Sequence, residues 1–282
     1  MEILKIPDLR KAKVLSRPSK ICKTPYVADI ILQNPENEIF DETNVYQAHC
    51  PSLGCCGLCE KESIVFVAPM ENKDKKVCSF VVYLALFEER NKNYEEIIGI
   101  HPKTAEIIVE KCLENNLLSK VVASQFKREV KLMNSRFDFV GKNMENESFV
   151  LEVKNVPLAD YADCTAKDRK KMDFSDKQPC DKISYFPDGY RKKKGAVVSP
   201  RALKHIQELE ALSLKGEYKS YICYVIQRTD SSSFQPSLLD PIYSEAVKKA
   251  LDSGVQIVTV GVRWTEDGVC RFERDNYIIN NV

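Results

Sequence analysis

Ser135-Arg136-Phe137-Asp138-Phe139-Val140, followed by Phe149-Val150-Leu151-Glu152-Val153-Lys154, decides the reading of this chain. Both segments alternate as half-buried strands do. Phe149, Leu151 and Val153 are expected to face a core, which leaves Glu152 and Lys154 together on the opposite face, two residues apart on the pleat. Gly141 to Glu147, with Asn143 and Asn146, reads as the turn of a hairpin. With Asp138 on the polar face of its own strand, two carboxylates and an ammonium converge on one spot. Hard divalent cations require such paired carboxylates, and a cation can then activate water for phosphodiester attack. The same spacing also fits two amphipathic strands with a solvated polar face, and spacing alone does not separate the two.

Outward from this hairpin the pattern is α/β. Pro102 opens a helical stretch, Thr104 to Asn116, with Ile107, Ile108, Cys112 and Leu113 on one stripe. Residues 159–184 are charged and turn-rich and read as a loop insert. Ser199-Pro200 reads as an N-cap and first helical residue of a helix running to Lys215 before Gly216. Tyr221 to Gln227 is an apolar strand, Asp240-Pro241 caps another helix ending near Gly254, and Val255 to Val262 is the next strand. Strand, helix, strand here implies a βαβ unit and a partly parallel sheet. Nearer the N-terminus, Tyr26 to Gln33, Ile64 to Ala68 and Val77 to Phe87 read as strands, with Asn34 to Asn37 and Glu71 to Lys76 as turns. That fits a small barrel or sandwich. The charged, Asn-rich stretch Glu88 to Glu95 reads as a domain boundary. The organisation expected is a β domain over 1–93 and an α/β domain over 94–282.

The 282 residues suit one large domain or two modest ones, and 44% apolar content allows a real core. With 42 basic and 41 acidic residues the net charge is +1. A nucleic-acid partner would therefore have to be met by segregated charge, and Lys167 to Lys171 and Arg191 to Lys194 are the two basic clusters. The longest apolar run, Phe80 to Phe87, is far shorter than the ~20 residues needed to span a bilayer, so no membrane partner is expected. Eleven cysteines without an even framework, and a polar Met1–Lys20 stretch, point to an intracellular protein, cytoplasmic or nuclear, with mostly free thiols. GxGxxG and GxxxxGK[ST] segments are absent, which argues against dehydrogenase or nucleotide-driven motor chemistry.

The wording of the segments goes further. Lys131 to Phe139 (KLMNSRFDF) and Glu152 to Leu158 (EVKNVPL) resemble the SRFDF-like and EVKNVTL-like segments of the sugar fermentation stimulation protein (SfsA) family. Phe186-Pro187-Asp188 is similar to its FPDA segment, and Lys204-His205-Ile206-Gln207-Glu208-Leu209 to its KHLxEL helix. Val27-Ala28-Asp29 and His49-Cys50-Pro51 are similar to its LADV-like and HCPNTG-like segments. The matches keep the family's order and span nearly the whole chain. The resemblance implies an N-terminal OB-like β-barrel followed by a PD-(D/E)xK restriction-endonuclease-like α/β domain, and DNA as partner. It departs from the family pattern where Gly189 to Pro200 inserts a basic run, where Arg201-Ala202 stands in place of Arg-Gly, and where the stretch from Leu158 to Tyr185 is longer.

On this reading Asp138 and Glu152 are the ligands of Mg²⁺ or Mn²⁺. The resemblance implies that the Val153 carbonyl completes the protein's share. Lys154 would orient water or stabilise charge on the phosphorane. Glu129 matches the acidic residue upstream of SRFDF and is a candidate catalytic residue, as a second cation ligand or a support. It also fits a surface carboxylate between Arg128 and Lys131. Arg136, Lys192, Lys193, Arg201, Lys204 and His205 are candidate nucleic-acid contacts. Asp188 and Glu208 are further candidates, Glu208 sharing a helix face with His205 at i,i+3. His49, Cys50, Cys55, Cys56 and Cys59 sit within eleven residues. Zinc usually takes two well-separated knuckles, and the second is missing unless Cys78 supplies a ligand, so structural zinc is not expected. Three functions stay open: a divalent-metal-dependent nuclease, a non-catalytic DNA-binding or regulatory protein that keeps the nuclease fold, and a protein-interaction module.

Overall fold

The computed structural model describes all residues except 53–54, 71–76 and 189–197. The chain divides into two compact units: Met1–Thr104 with Val262–Phe272, and Ala105–Gly261 with Glu273–Val282.

The first unit is built from β1 (Glu2–Lys5), β2 (Arg10–Ser16), β3 (Val27–Leu32), β4 (Tyr46–His49), β5 (Ile64–Pro69), β6 (Phe80–Glu89) and β7 (Tyr94–Gly99). Strand β2 is hidden in the sequence by its lysines, yet it alternates strictly: Ala12 and Val14 are fully buried while Lys11 and Lys13 lie partly exposed between them. It pairs antiparallel with β3 on one side and β5 on the other. The order is β4-β3-β2-β5-β6-β7, and a parallel pairing of β4 with β6 closes β2 to β6 into an OB-like barrel. Closure removes the sheet edges that an open six-strand sheet would expose. The small side chains Ala12, Ala28 and Ala48 interleave with Ile30, Val65, Val67 and Val82 inside it. Strand β1 pairs antiparallel with Val269–Arg271. The expected boundary at Glu88–Glu95 is instead a hairpin: Glu88 pairs with Glu95, Glu89 with Tyr94, and Asn93 takes the left-handed turn position at φ 48°. The charged residues mark a solvated turn, and the division falls at Thr104. The expected turn at Glu71–Lys76 lies outside the described residues.

The second unit opens with α1 (Pro102–Glu114), which buries Ala105, Ile108, Val109, Cys112 and Leu113 on one face. Next come β8 (Ala123–Leu132), β9 (Ser135–Asn143) and β10 (Ser148–Val156), antiparallel neighbours. The insert follows: β11 (Ala159–Asp160), α2 (Ala166–Arg169) and β12 (Lys182–Phe186). After it come α3 (Pro200–Lys215), β13 (Lys219–Ile226), β14 (Ser231–Pro236), α4 (Pro241–Asp252), β15 (Gln256–Trp264), β16 (Val269–Asp275) and β17 (Ile278–Ile279), of which Val262–Trp264 of β15 and Val269–Phe272 of β16 belong to the first unit. Strand β13 lies parallel to both β10 and β15, which gives the order β15-β13-β10-β9-β8. A helix, a three-strand antiparallel meander, a second helix and a parallel strand thus follow one another along the chain. Ser199 caps α3 through Ala202 N–H, and Gly216 ends it in a left-handed conformation at φ 70°.

Two expectations change here. Residues 159–184 carry short ordered elements: β11 pairs with β12, β12 pairs parallel with β14, and Thr165 caps α2. They are pinned by a buried ion cluster that charge counting does not reveal. Arg228 Nε and Nη2 donate to Asp230 at 2.5 and 2.7 Å, and Lys182 Nζ lies 3.0 Å from the same carboxylate. The serines of β14 are satisfied by backbone and by the neighbouring strand; Ser184 Oγ, for example, donates to Ser231 Oγ at 2.8 Å, and Ser232 Oγ donates to the Lys182 carbonyl at 3.3 Å.

The hairpin extends to Lys142 pairing with Ser148, so Gly141 is strand rather than turn. A Cβ there would stand 2.2 Å from the Gln125 carbonyl oxygen and 2.8 Å from Phe126 Cβ. Because β8 backbone cannot yield as a flexible side chain can, Gly141→Ala is expected to destabilise the protein by about 1–3 kcal/mol in urea unfolding. An unchanged midpoint would contradict the close approach of β8 to β9.

Candidate active site

Strand β10 is central, between β9 and β13, so both of its edges are paired. Phe149, Val150, Leu151 and Val153 are buried, but so are Glu152 and Lys154, at 3% and 9% exposure. Of the two readings of this face, a solvated polar surface does not fit: it is buried. Pairing of β9 with β10 runs from Lys142–Ser148 to Phe139–Leu151. Beyond that point the Asp138 side chain takes over, and its Oδ2 accepts from the Val153 N–H at 2.7 Å. One carboxylate thus replaces a ladder bond, which satisfies the backbone while bringing Asp138 next to the Glu152 segment.

Lys154 Nζ donates to Glu152 Oε1 at 2.6 Å and lies 3.4 Å from His205 Nδ1. His205 Nδ1 also meets Glu152 Oε1. The helix geometry of α3 makes this possible: Ala202, Ile206 and Leu209 are buried in the core, and His205 and Glu208, on the same side, are carried to β10 with 4% and 8% exposure. Glu152 Oε1 is therefore used by two partners, while the buried Glu152 Oε2 has no hydrogen-bond partner among the described residues. Glu208 Oε2 is in the same condition. Buried carboxylate oxygens left without a partner carry a desolvation cost, and an ion or ordered water is the usual compensation.

The two acids titrate apart. Burial opposes ionisation of Glu152, but the Lys154 ammonium and then the His205 contact outweigh it and hold that carboxyl below the ordinary carboxylate range. Asp138 goes the other way. Burial first, and the Glu152 charge second, push it up to about 7, against the Val153 N–H and Lys154. Two carboxylates in one dry place cannot both ionise cheaply without added positive charge. Among the described residues no group of three or more His, Cys, Asp or Glu side chains is arranged to hold a metal ion. A cation here would rest on two carboxylates and complete its shell with carbonyl, water and substrate oxygens, the manner typical of Mg²⁺. The hard oxygen donors and the unpartnered Glu152 Oε2 fit that demand.

The other expected residues fall elsewhere. Glu129, at φ 53°, pairs with Arg136 at 3.2 Å, both exposed, so these two neutralise one another outside the buried centre. Lys204 is exposed, donates to the Asn134 carbonyl at 2.7 Å and lies 3.8 Å from Glu208 Oε1. Arg201 is exposed in the first turn of α3. Asp188 is half-buried just after β12. Lys192 and Lys193 lie outside the described residues. His205, expected as a nucleic-acid contact, is a buried partner of the Glu152 carboxylate. Its spacing to Glu208 was legible; its contact across 53 residues had no sequence signal.

Comparison with known proteins agrees with the architecture. The family profile described as the sugar fermentation stimulation protein RE domain matches residues 103–167 and 174–268. A sugar fermentation stimulation protein homolog from Shewanella sp. (strain ANA-3) is 28% identical over 258 residues, covering 89% of each chain. One from Shouchella clausii (strain KSM-K16) is 27% identical over 271 residues, covering 95% of this chain and 96% of that one. The solved structure of Pyrococcus furiosus SfsA in complex with Ca²⁺ superimposes with a TM-score of 0.72 at 19% identity over 99% of both chains, a likeness of fold. Among the described residues no helix is long and apolar enough to cross a membrane.

Proposed function

The chain belongs to the sugar fermentation stimulation protein family, and from that premise we propose that it is an intracellular DNA-binding protein whose Asp138–Glu152–Lys154 centre hydrolyses phosphodiester bonds with a divalent cation. The observation that carries the proposal is the unpartnered, buried Glu152 Oε2, together with an Asp138 whose ionisation is opposed by burial and then by the Glu152 charge. Ca²⁺ in the Pyrococcus furiosus relative supports a hard cation at a fold of this kind.

Asp138 and Glu152 would hold Mg²⁺ or Mn²⁺, with the Val153 carbonyl as a third protein donor. Bound there, the cation supplies Lewis-acid polarisation of a phosphoryl oxygen. His205 occupies Glu152 Oε1, which would leave Oε2 to hold the cation. Lys154 is close enough to Glu152 to be held in place, and its remaining N–H bonds can orient the attacking water or meet charge developing on the phosphate. Arg201 and Lys204, exposed on α3, would meet backbone phosphates, and the barrel of the first unit is a fold used widely for nucleic acids.

The test uses end-labelled single- and double-stranded DNA with Mg²⁺, Mn²⁺ or chelator. Binding is expected with chelator present and should fall steeply as salt rises, because phosphate contacts release counterions. Cutting is expected only with Mg²⁺ or Mn²⁺. Binding without cutting under every cation would leave the second reading, a DNA-binding protein on a nuclease fold. Neither binding nor cutting would overturn both.

A further inference from the structure

The first unit contains a cluster that the centre above does not use. Cys50 directly follows β4, Cys55 opens a short 3-10 turn over Cys55–Gly57, and Cys59 lies two residues beyond that turn. Their exposures are 0%, 2% and 0%. Cys50 Sγ and Cys59 Sγ are 3.6 Å apart, and all eleven cysteines of the chain are free thiols. The backbone is bent to make this meeting: Cys55 and Cys56 both adopt left-handed conformations, at φ 42° and 52°, which side-chain-bearing residues seldom take. Ser52 fixes the turn, its Oγ accepting from the Cys55 N–H at 3.2 Å and donating to Cys55 Sγ at 3.3 Å. Arg17 is anchored beside it, donating to the Ser52 carbonyl at 2.7 Å and to the Pro25 carbonyl at 2.8 Å.

Buried cysteines packed as small hydrophobes need neither left-handed backbone nor an arginine nearby. We propose that Cys50, Cys55 and Cys59 form a peroxide-sensitive modification site, with Cys55 as the nucleophile and Cys50 or Cys59 as the resolving thiol. Hydrogen bonds from Cys50 and Cys59, followed by the Arg17 charge and Ser52, hold Cys55 below the ordinary thiol range against burial, while Cys50 and Cys59 are raised. Of the three thiols Cys55 is thus the one most easily deprotonated, the condition for oxidation followed by resolution. The Cys55 thiolate attacks one oxygen of hydrogen peroxide; the O–O bond breaks, a sulfenic acid forms and hydroxide leaves. The sulfur of Cys50 or Cys59 then attacks Cys55 Sγ, the S–O bond breaks, and the S–S bond forms. The thiol's proton and the hydroxide leave as water. Two thiols lose two electrons and one peroxide becomes two waters. In a reducing compartment such a disulfide is transient and regulatory rather than structural.

The experiment uses the full chain, fully reduced, freed of reductant and exposed to stoichiometric hydrogen peroxide, with differential alkylation and peptide mass spectrometry. The expected product is one disulfide that includes Cys55 or links Cys50 to Cys59 by exchange, formed while the exposed Cys180 is still reduced. Cys55→Ala should slow loss of the cluster thiols by at least tenfold. Cys50→Ala and Cys59→Ala singly should still form a disulfide, and the double variant should stop at a sulfenic acid captured by dimedone. Oxidation of Cys180 ahead of an untouched trio in the unmodified chain would overturn the proposal without recourse to any variant. So would a Cys55→Ala protein that loses its cluster thiols at the original rate.

Discussion

Glu152→Gln is expected to reduce divalent-metal-dependent cleavage by roughly 10²–10³-fold while DNA binding in chelator is retained. The substitution keeps the shape of the side chain and removes its charge. Oε2, the atom left for a cation, becomes a neutral amide group, and half of the carboxylate pair is lost. The same change has a structural cost. Lys154 is 9% exposed and donates to Glu152 Oε1 at 2.6 Å, so the variant leaves a buried ammonium without its counter-charge. Breaking one partner of a buried pair typically costs about 3–5 kcal/mol, and the assay is best run at low temperature where the variant remains folded. Cleavage at the original rate by folded Glu152→Gln protein would remove this carboxylate from the chemistry.

Asp138→Asn is expected to combine the same loss of cleavage with a gain in stability, and the two effects together separate a functional acid from a structural one. Asp138 is pushed up to about 7 in the folded protein, chiefly by burial and then by Glu152, from an ordinary value of 3.8. The folded state therefore holds this proton more tightly than the unfolded chain does. For such an acid, stability is highest below the unfolded value and is lost as pH rises from about 4 to about 7. The full loss approaches about 4 kcal/mol as an upper bound. Asparagine keeps an oxygen to accept from the Val153 N–H and cannot ionise. In urea unfolding with chelator, Asp138→Asn should be a few kcal/mol more stable than the unmodified protein at pH 8, with the advantage fading towards pH 4. A saturating cation should narrow or reverse the order, since a ligand present at 100 times its Kd stabilises only the protein that binds it, by about 2.7 kcal/mol. A stability difference that does not change with pH would show that Asp138 is ionised at no such cost.

Much of this centre was legible before the fold was known. Alternation over 135–140 and 149–154 gave the hairpin, and Ser199, Gly216 and Asp240 gave the helix ends, because caps and period-2 patterning are local. That Glu152 and Lys154 share one side of their strand followed from parity; joining Asp138 to them as a candidate site followed from the family resemblance. What could not be read was set by tertiary contact. Glu152 and Lys154 have the pattern of a solvated face and are buried only because α3 covers it, and His205 meets Glu152 through that packing. Glu129 and Arg136 looked like site residues and are an exposed pair. The segment 88–95 looked like a linker because a solvated hairpin turn and a domain boundary favour the same residues. The insert, expected as loop, is ordered by Lys182, Arg228 and Asp230, whose convergence no local pattern announces.

The central claim is that Asp138 and Glu152 together hold a divalent cation, and calorimetric titration of Mn²⁺ into the unmodified protein at pH 8 and pH 6 tests it most directly. Because Asp138 must lose a proton held to about 7 before it can act as a ligand, affinity is expected to be about tenfold weaker at pH 6. The binding heat should vanish in Asp138→Asn and Glu152→Gln at either pH. Equal affinity at the two pH values, or a titration left unchanged by both substitutions, would contradict the assignment of this pair as the cation site.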